Sequence, residues 1–210
     1  MSRERLLHSL NSIAIHALAF IVALLSVAPI VYLLITSFKP PELTFALPPV
    51  WLFEPTLKNY IDVVTNGEFF KYFLNSLIVA VSTTAIAVAV GAFAAYGFAR
   101  FQFRGAFWWR MSVLIPQMLP PITIIVPLYV LFNSLDLIDN PWALIISYLT
   151  FTIPLAIWLM IGFFEDVPID LEECAMIDGC TRLQALFRIN LPLVLPGLAA
   201  TSILSFLYCW

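Results

Sequence analysis

The sequence predicts an all-α, polytopic transmembrane helix bundle, on three observations. Of 210 residues, 62% are hydrophobic and only 11% charged, whereas a soluble chain carries roughly a quarter charged residues to cover its surface. The apolar residues gather in runs long enough to cross a lipid core of ~30 Å, which takes about 20 helical residues. The ten basic residues divide unequally between alternate connections, as the positive-inside rule requires of a polytopic chain. This composition excludes disorder and an ordinary soluble domain. A net charge of −3 without a basic stripe gives no reason to expect nucleic acid as a partner.

Five spans are predicted, at roughly residues 10–37, 73–98, 106–132, 142–164 and 191–210 of one transmembrane domain. The first follows Arg3 and Arg5, and its apolar run exceeds the 7–15 residues of a signal peptide, so it reads as a retained span. Ser26-Val27-Ala28 resembles a cleavage site, but Pro29 after it makes a poor one. The third contains Pro116, Pro120, Pro121 and Pro127, each removing a backbone donor and crowding the preceding turn, so a kinked or broken helix is expected. Such a break either bends around a central cavity or is repaired by neighbouring helices and Thr123. Trp51, Trp108, Trp109, Trp142 and Trp210 fall near span ends, where amphipathic rings are favoured.

Arg3, Arg5, Arg100, Arg104, Arg110, Arg182 and Arg188 fall on one side of these spans, against Lys39, Lys58 and Lys71 on the other. The N-terminus is therefore predicted in the cytoplasm. Cys174, Cys180 and Cys209 fit neither a zinc spacing nor a disulfide framework and read as reduced thiols. No metal site is predicted.

The segment 165–190 is the one long cytoplasmic connection, and its sequence specifies two short helices around a glycine turn. Asp170 is placed to cap the first, with Glu173 three residues on to return the bond, Gly179 ending it in a left-handed conformation and Asp178 bonding the turn. Thr181 and Gln184 form a second capping box, after which Leu183, Leu186, Phe187, Asn190 and Leu191 recur at helical spacing until Pro192 stops the helix. Such helices could lie on the membrane surface. The acids Glu172, Glu173 and Asp178 beside the small Cys174 and Ala175 suit anionic lipid poorly and a protein cleft well.

Glu173-Cys174-Ala175, then Asp178-Gly179-Cys180, with Phe187, Leu191-Pro192 and Pro196 behind, resembles the EAA loop of ATP-binding-cassette importer permeases. Asn75-Ser76-Leu77, the stretch from Ala94 to Arg100, and Val126-Pro127-Leu128-Tyr129 extend the likeness to the second permease subunit of maltose-type carbohydrate importers. Cys174 and Cys180 depart from that pattern, standing where alanines are usual. The resemblance implies a type I importer permease with a sixth span beyond Trp210, so the chain is expected to be truncated. It also implies a bacterial or archaeal inner-membrane location. The implied partners are a related permease, a cytoplasmic ATPase dimer using ATP and Mg²⁺, an extracytoplasmic binding protein, and a sugar-like substrate.

On that reading Asp170, Glu173, Cys174, Ala175, Asp178, Gly179 and Phe187 couple the chain to the ATPase. Substrate-path candidates are Asn75, Gln117, Thr123 and Tyr129, polar or aromatic groups within spans. All three lysines follow Phe or Leu, so no phosphate-binding loop exists here, and His8 and His16 lack a catalytic partner; the chain is expected to be neither an enzyme nor a holder of a cofactor. The alternatives are an ion-coupled carrier, although the spans show no central carboxylate, and a non-transporting anchor subunit.

Overall fold

Lipid offers no hydrogen-bond partner to a peptide group, so a chain this apolar pairs its backbone within helices. The structure, a computed structural model, describes residues 3–65, 67–101 and 103–210, the side chains of 3–11 and 14 excepted. The roles read for Arg3, Arg5 and His8 lie outside the described residues. All regular structure among the described residues is helical. It divides into two units, Met1–Phe70 and Lys71–Trp210.

The first unit holds α1 (Arg3–Ser37), α2 (Pro41–Thr44) and α3 (Lys58–Thr65). From Ile15 to Ser37 α1 is apolar enough to cross a membrane, and Leu18, Phe20, Leu25, Ile30 and Leu33 all point outward as lipid-facing groups. Just past its end the Lys39 side chain is buried, with Nζ 5.5–5.7 Å from the ring centroids of Tyr32, Trp51 and Phe53. The electron-rich ring faces replace the water that this ammonium has lost. Asn59 Nδ2 donates to the Ser37 and Lys39 carbonyls, at 3.0 and 2.7 Å, and so pins α3 to the end of α1.

The second unit begins within α4 (Glu68–Arg100) and continues with α5 (Ala106–Met118), α6 (Pro121–Ser134) and α7 (Pro141–Glu165). Then come α8 (Ile169–Ile177), α9 (Arg182–Ala185), a π-helical turn (Leu186–Asn190), α10 (Leu191–Leu193) and α11 (Leu195–Cys209). Helix α7 is the hub, with ten buried residues. Small residues let its neighbours approach closely. At Gly91 of α4 an added Cβ would lie 2.6 Å from Ala156 Cβ, and at Gly197 of α11 one would lie 2.3 Å from the Phe163 ring.

Among the described residues three helices, α1, α4 and α7, are long and apolar enough to cross a membrane, and two bent pairs raise the number to five if each pair is one span. The proline-rich third stretch breaks as its sequence implies: α5 ends at Met118, Leu119 is extended, and α6 starts at Pro121 with its axis turned by 85°. The last stretch departs from expectation. Pro192 does not end the preceding helix but sits within α10, and the chain turns at Val194, with a bend of 74° before α11. Pro192 follows the π-helical turn Leu186–Asn190, where the register of the backbone bonds has already shifted.

Candidate functional site

The connection between α7 and α11 carries the groups that sequence reasoning singled out, and its local geometry follows from its residues. Proline at 168 fixes an extended entry, so α8 starts at Ile169 and Asp170 lies inside its first turn. The capping role read for Asp170 is thereby corrected: Pro168 holds the cap position, no side chain caps the helix, and Asp170 acts on the positive helix end instead. Gly179 takes the left-handed conformation, φ +93°, and the turn closes through backbone bonds from Cys180 to Ala175 and from Gly179 to Met176. This pair is the Schellman arrangement, which glycine adopts without penalty. Asp178 shows no side-chain bond to that turn among the described residues, and its backbone N–H reaches the Cys174 carbonyl at 3.0 Å. The second capping box is complete, with Thr181 N donating to Gln184 Oε1 at 2.8 Å and Gln184 N to Thr181 Oγ1 at 3.3 Å.

Helix α8 has two faces. Residues three apart share one side of a helix, and Glu172 and Ala175 are its two buried residues. Asp170, Glu173, Cys174 and Ile177 are exposed, Ile177 to 84%. The three cysteines are free thiols, exposed at Cys174, half-buried at Cys180 and buried at Cys209. Phe187, on the π-helical turn, is exposed, with one edge-on contact to Phe93 of α4 at 6.0 Å between centroids.

The inner face of α8 meets a polar cluster that the sequence did not single out. Arg100 at the end of α4 donates through Nε to Glu172 Oε2 at 3.0 Å, and through Nη2 to the Val167 carbonyl at 2.8 Å and Asn190 Oδ1 at 3.2 Å. Glu172 also accepts from the Tyr96 hydroxyl at 2.5 Å and from Asn190 Nδ2 at 3.1 Å. The Arg100 and Glu172 side chains are only 5% and 3% exposed. Around them Tyr96, Phe164, Val167, Leu186 and Val194 belong to one apolar core. Two faint signals existed: Asn190 is the odd polar residue on an apolar stripe, and Glu172 shares a face with Ala175.

A second arginine, Arg110 of α5, reaches Glu165 at 2.7 Å and the Phe98 carbonyl, tying α5 to the ends of α7 and α4. That pair is open to solvent, 29% and 47% exposed.

The substrate-path candidates scatter. Asn75 lines a cavity of about 310 Å³ with Ser76, Asp139, Asn140, Tyr148 and Trp210. Gln117 donates to the Phe151 carbonyl of α7, next to the carbonyl that Pro154 leaves without a helical donor. Its amide is thus spent on a helix-to-helix bond. Thr123 and Tyr129 are exposed on α6, and no described cavity gathers Gln117, Thr123 and Tyr129 with Asn75.

Residues 87–210, more than half of the chain, match the family model described as binding-protein-dependent transport system inner membrane component. The chain belongs to that family. The permease is 33% identical over 87% of its length to the sulfoquinovosyl glycerol transport system permease protein SmoH of Agrobacterium fabrum, of which it covers 64%. It is 35% identical over 93% of its length to the diacetylchitobiose uptake system permease protein NgcG of Streptomyces coelicolor, covering 65%. It is 32% identical over 90% of its length to the trehalose/maltose transport system permease protein MalG of Thermococcus litoralis, covering 68%. It thus spans about two thirds of the length of these relatives. The crystal structure of a bacterial ABC transporter involved in the import of the acidic polysaccharide alginate shares the fold, with a TM-score of 0.73 at 24% identity over 100% of this chain and 73% of that one. The permease is thus an all-α, multi-pass inner-membrane component of a binding-protein-dependent transport system.

Proposed function

We propose that the permease forms half of the translocation path of an ATP-driven importer for a sugar or sugar-like solute and couples to a cytoplasmic ATPase through segment 165–190. The two-sided α8 carries this reading. Its inner face is bonded into the bundle, while Glu173, Cys174 and Ile177 stand exposed beside the Gly179 turn. An exposed isoleucine flanked by acids is a poor membrane surface and a good ridge for a protein groove. Glu173, free of a capping duty, is placed to meet a basic residue there.

The substrate class rests on relatives named for sulfoquinovosyl glycerol, diacetylchitobiose and trehalose/maltose. The Asn75 cavity, with its hydroxyl-matching amides and aromatic rings, is the described site most suited to such a solute. The remaining partners are a related permease, an ATPase dimer that uses ATP and Mg²⁺, and an extracytoplasmic binding protein. Arginine-rich connections put the N-terminus and segment 165–190 in the cytoplasm.

The test is vanadate-sensitive ATPase activity of the reconstituted full-length complex, with candidate sugars presented by the binding protein. Stimulation by one sugar is expected, and Gly179→Trp should abolish it, because the left-handed turn admits no side chain readily. A complex with no associated ATPase overturns the reading.

A further inference from the structure

Movement of α8 can reach the bundle by three routes. Two run along the chain: the short turn Asp166-Val167-Pro168 into α7, and the π-helical turn with the 74° bend into α11. The third has no covalent path. Between α8 and the end of α4 lie some seventy residues of chain, and their polar connection is side-chain chemistry at Arg100, Tyr96, Glu172 and Asn190. Arg100, Glu172 and Asn190 form a closed triangle in which each side chain bonds both others, and Glu172 is the one buried acid among the described residues.

A closed triangle of this kind has one good geometry. Sliding α8 along α4 would separate a buried carboxylate from a buried guanidinium with no water to take either, so the two segments hold together until the cluster breaks as a whole. The chain-connected routes are softer. A π-helical turn and a bent helix pair are places where register and angle are absorbed.

We infer that the Arg100–Glu172–Asn190 triangle is the joint that delivers movement of the coupling segment to α4, with Glu172 as a positioning residue rather than a contact of the ATPase. This deepens the proposed function and rests on it. The adjacent acids then divide the work, Glu173 facing the partner and Glu172 the bundle. The exposed Arg110–Glu165 pair is not part of the joint, because solvent screens it and its separation leaves no charge stranded.

The experiment uses the full-length complex in proteoliposomes, in a cysteine-free background carrying Val81→Cys or Val90→Cys on the exposed side of α4. Mg-ATP with orthovanadate is the probe, so no sugar need be known. The readouts are the ATPase rate and the rate of maleimide addition to the α4 cysteine. With the native joint, trapping should change the addition rate about fivefold or more, the low end of ordinary coupling between sites. Glu172→Gln, which keeps the shape, should erase that change while ATP hydrolysis stays within about twofold. Tyr96→Phe, which leaves the ion pair, should weaken it, and Arg110→Gln should leave it intact.

Should Glu172→Gln fail to assemble, Tyr96→Phe and Asn190→Ala carry the same test. A response per assembled complex that survives Glu172→Gln, with or without a loss of yield, overturns the joint while Gly179→Trp still uncouples. No response at α4 in the native permease also overturns it. If Gly179→Trp hydrolyses ATP and responds as the native protein does, the coupling segment itself has been misread, and the joint falls with it.

Discussion

An added methyl at Gly91 would stand 2.6 Å from Ala156 Cβ, where backbone on both sides leaves nothing to yield. Gly91→Ala should therefore cost about 1–3 kcal/mol through overpacking, read as a lower melting midpoint of the purified complex. Gly97→Ala, six residues along α4 with no neighbour within 4 Å of the new atom, should be neutral or stabilising by up to about 1 kcal/mol, the helix-propensity difference. At this scale the sequence is legible where the cause is local. The Gly179 turn and the Thr181–Gln184 box need only their own neighbours, and both form. Asp170 does not cap α8, because Pro168 already supplies an extended cap position two residues earlier. Glu172, which the sequence groups with the cleft-facing acids, is buried instead, because its partner Arg100 is 72 residues away in the chain and adjacent only in the fold.

Whole helices obey their prolines, although not at every proline. The tandem Pro120-Pro121 cannot continue a helix already strained by Pro116, and the axis turns by 85°. Pro192 lies at the end of the helical run Arg182–Leu193, just past its π-helical turn, Pro196 falls in the first turn of α11, and the bend comes between them at Val194. Composition shows that such a stretch bends; its angle depends on packing that no local pattern encodes. The break has a measurable consequence. Spin labels at Ser112 and Val130, in a cysteine-free chain, would lie about 27 Å apart along a continuous helix and about 20 Å apart across an 85° bend, at ~1.5 Å per residue. The shorter distance is expected, and Pro120→Ala with Pro121→Ala should lengthen it. A second element-scale outcome concerns α9. Thr181→Ala removes one reciprocal bond of its capping box and should lower the complex's stability by about 1 kcal/mol, with Thr181→Ser restoring it.

For the molecule in its membrane, the decisive asymmetry is between buried and exposed charge. Tyr96, Arg100, Glu172 and Asn190 neutralise one another inside the protein, whereas Glu173 and Asp178 remain outside with nothing in this chain across from them among the described bonds. The proposed ATPase contact falls on this acidic ridge, and Cys174 sits on it as a free, exposed thiol. Cys174 therefore reports both topology and docking, while the buried Cys209 serves as an internal negative control. In inverted vesicles stripped of the ATPase, a membrane-impermeant maleimide should label Cys174, and added ATPase should slow the reaction about tenfold, the ratio that corresponds to about 1.4 kcal/mol of protection. In right-side-out vesicles the same reagent should leave it untouched. Labelling from outside would reverse the orientation inferred from the seven arginines, and labelling indifferent to the ATPase would separate α8 from the docking surface while leaving the fold as it stands.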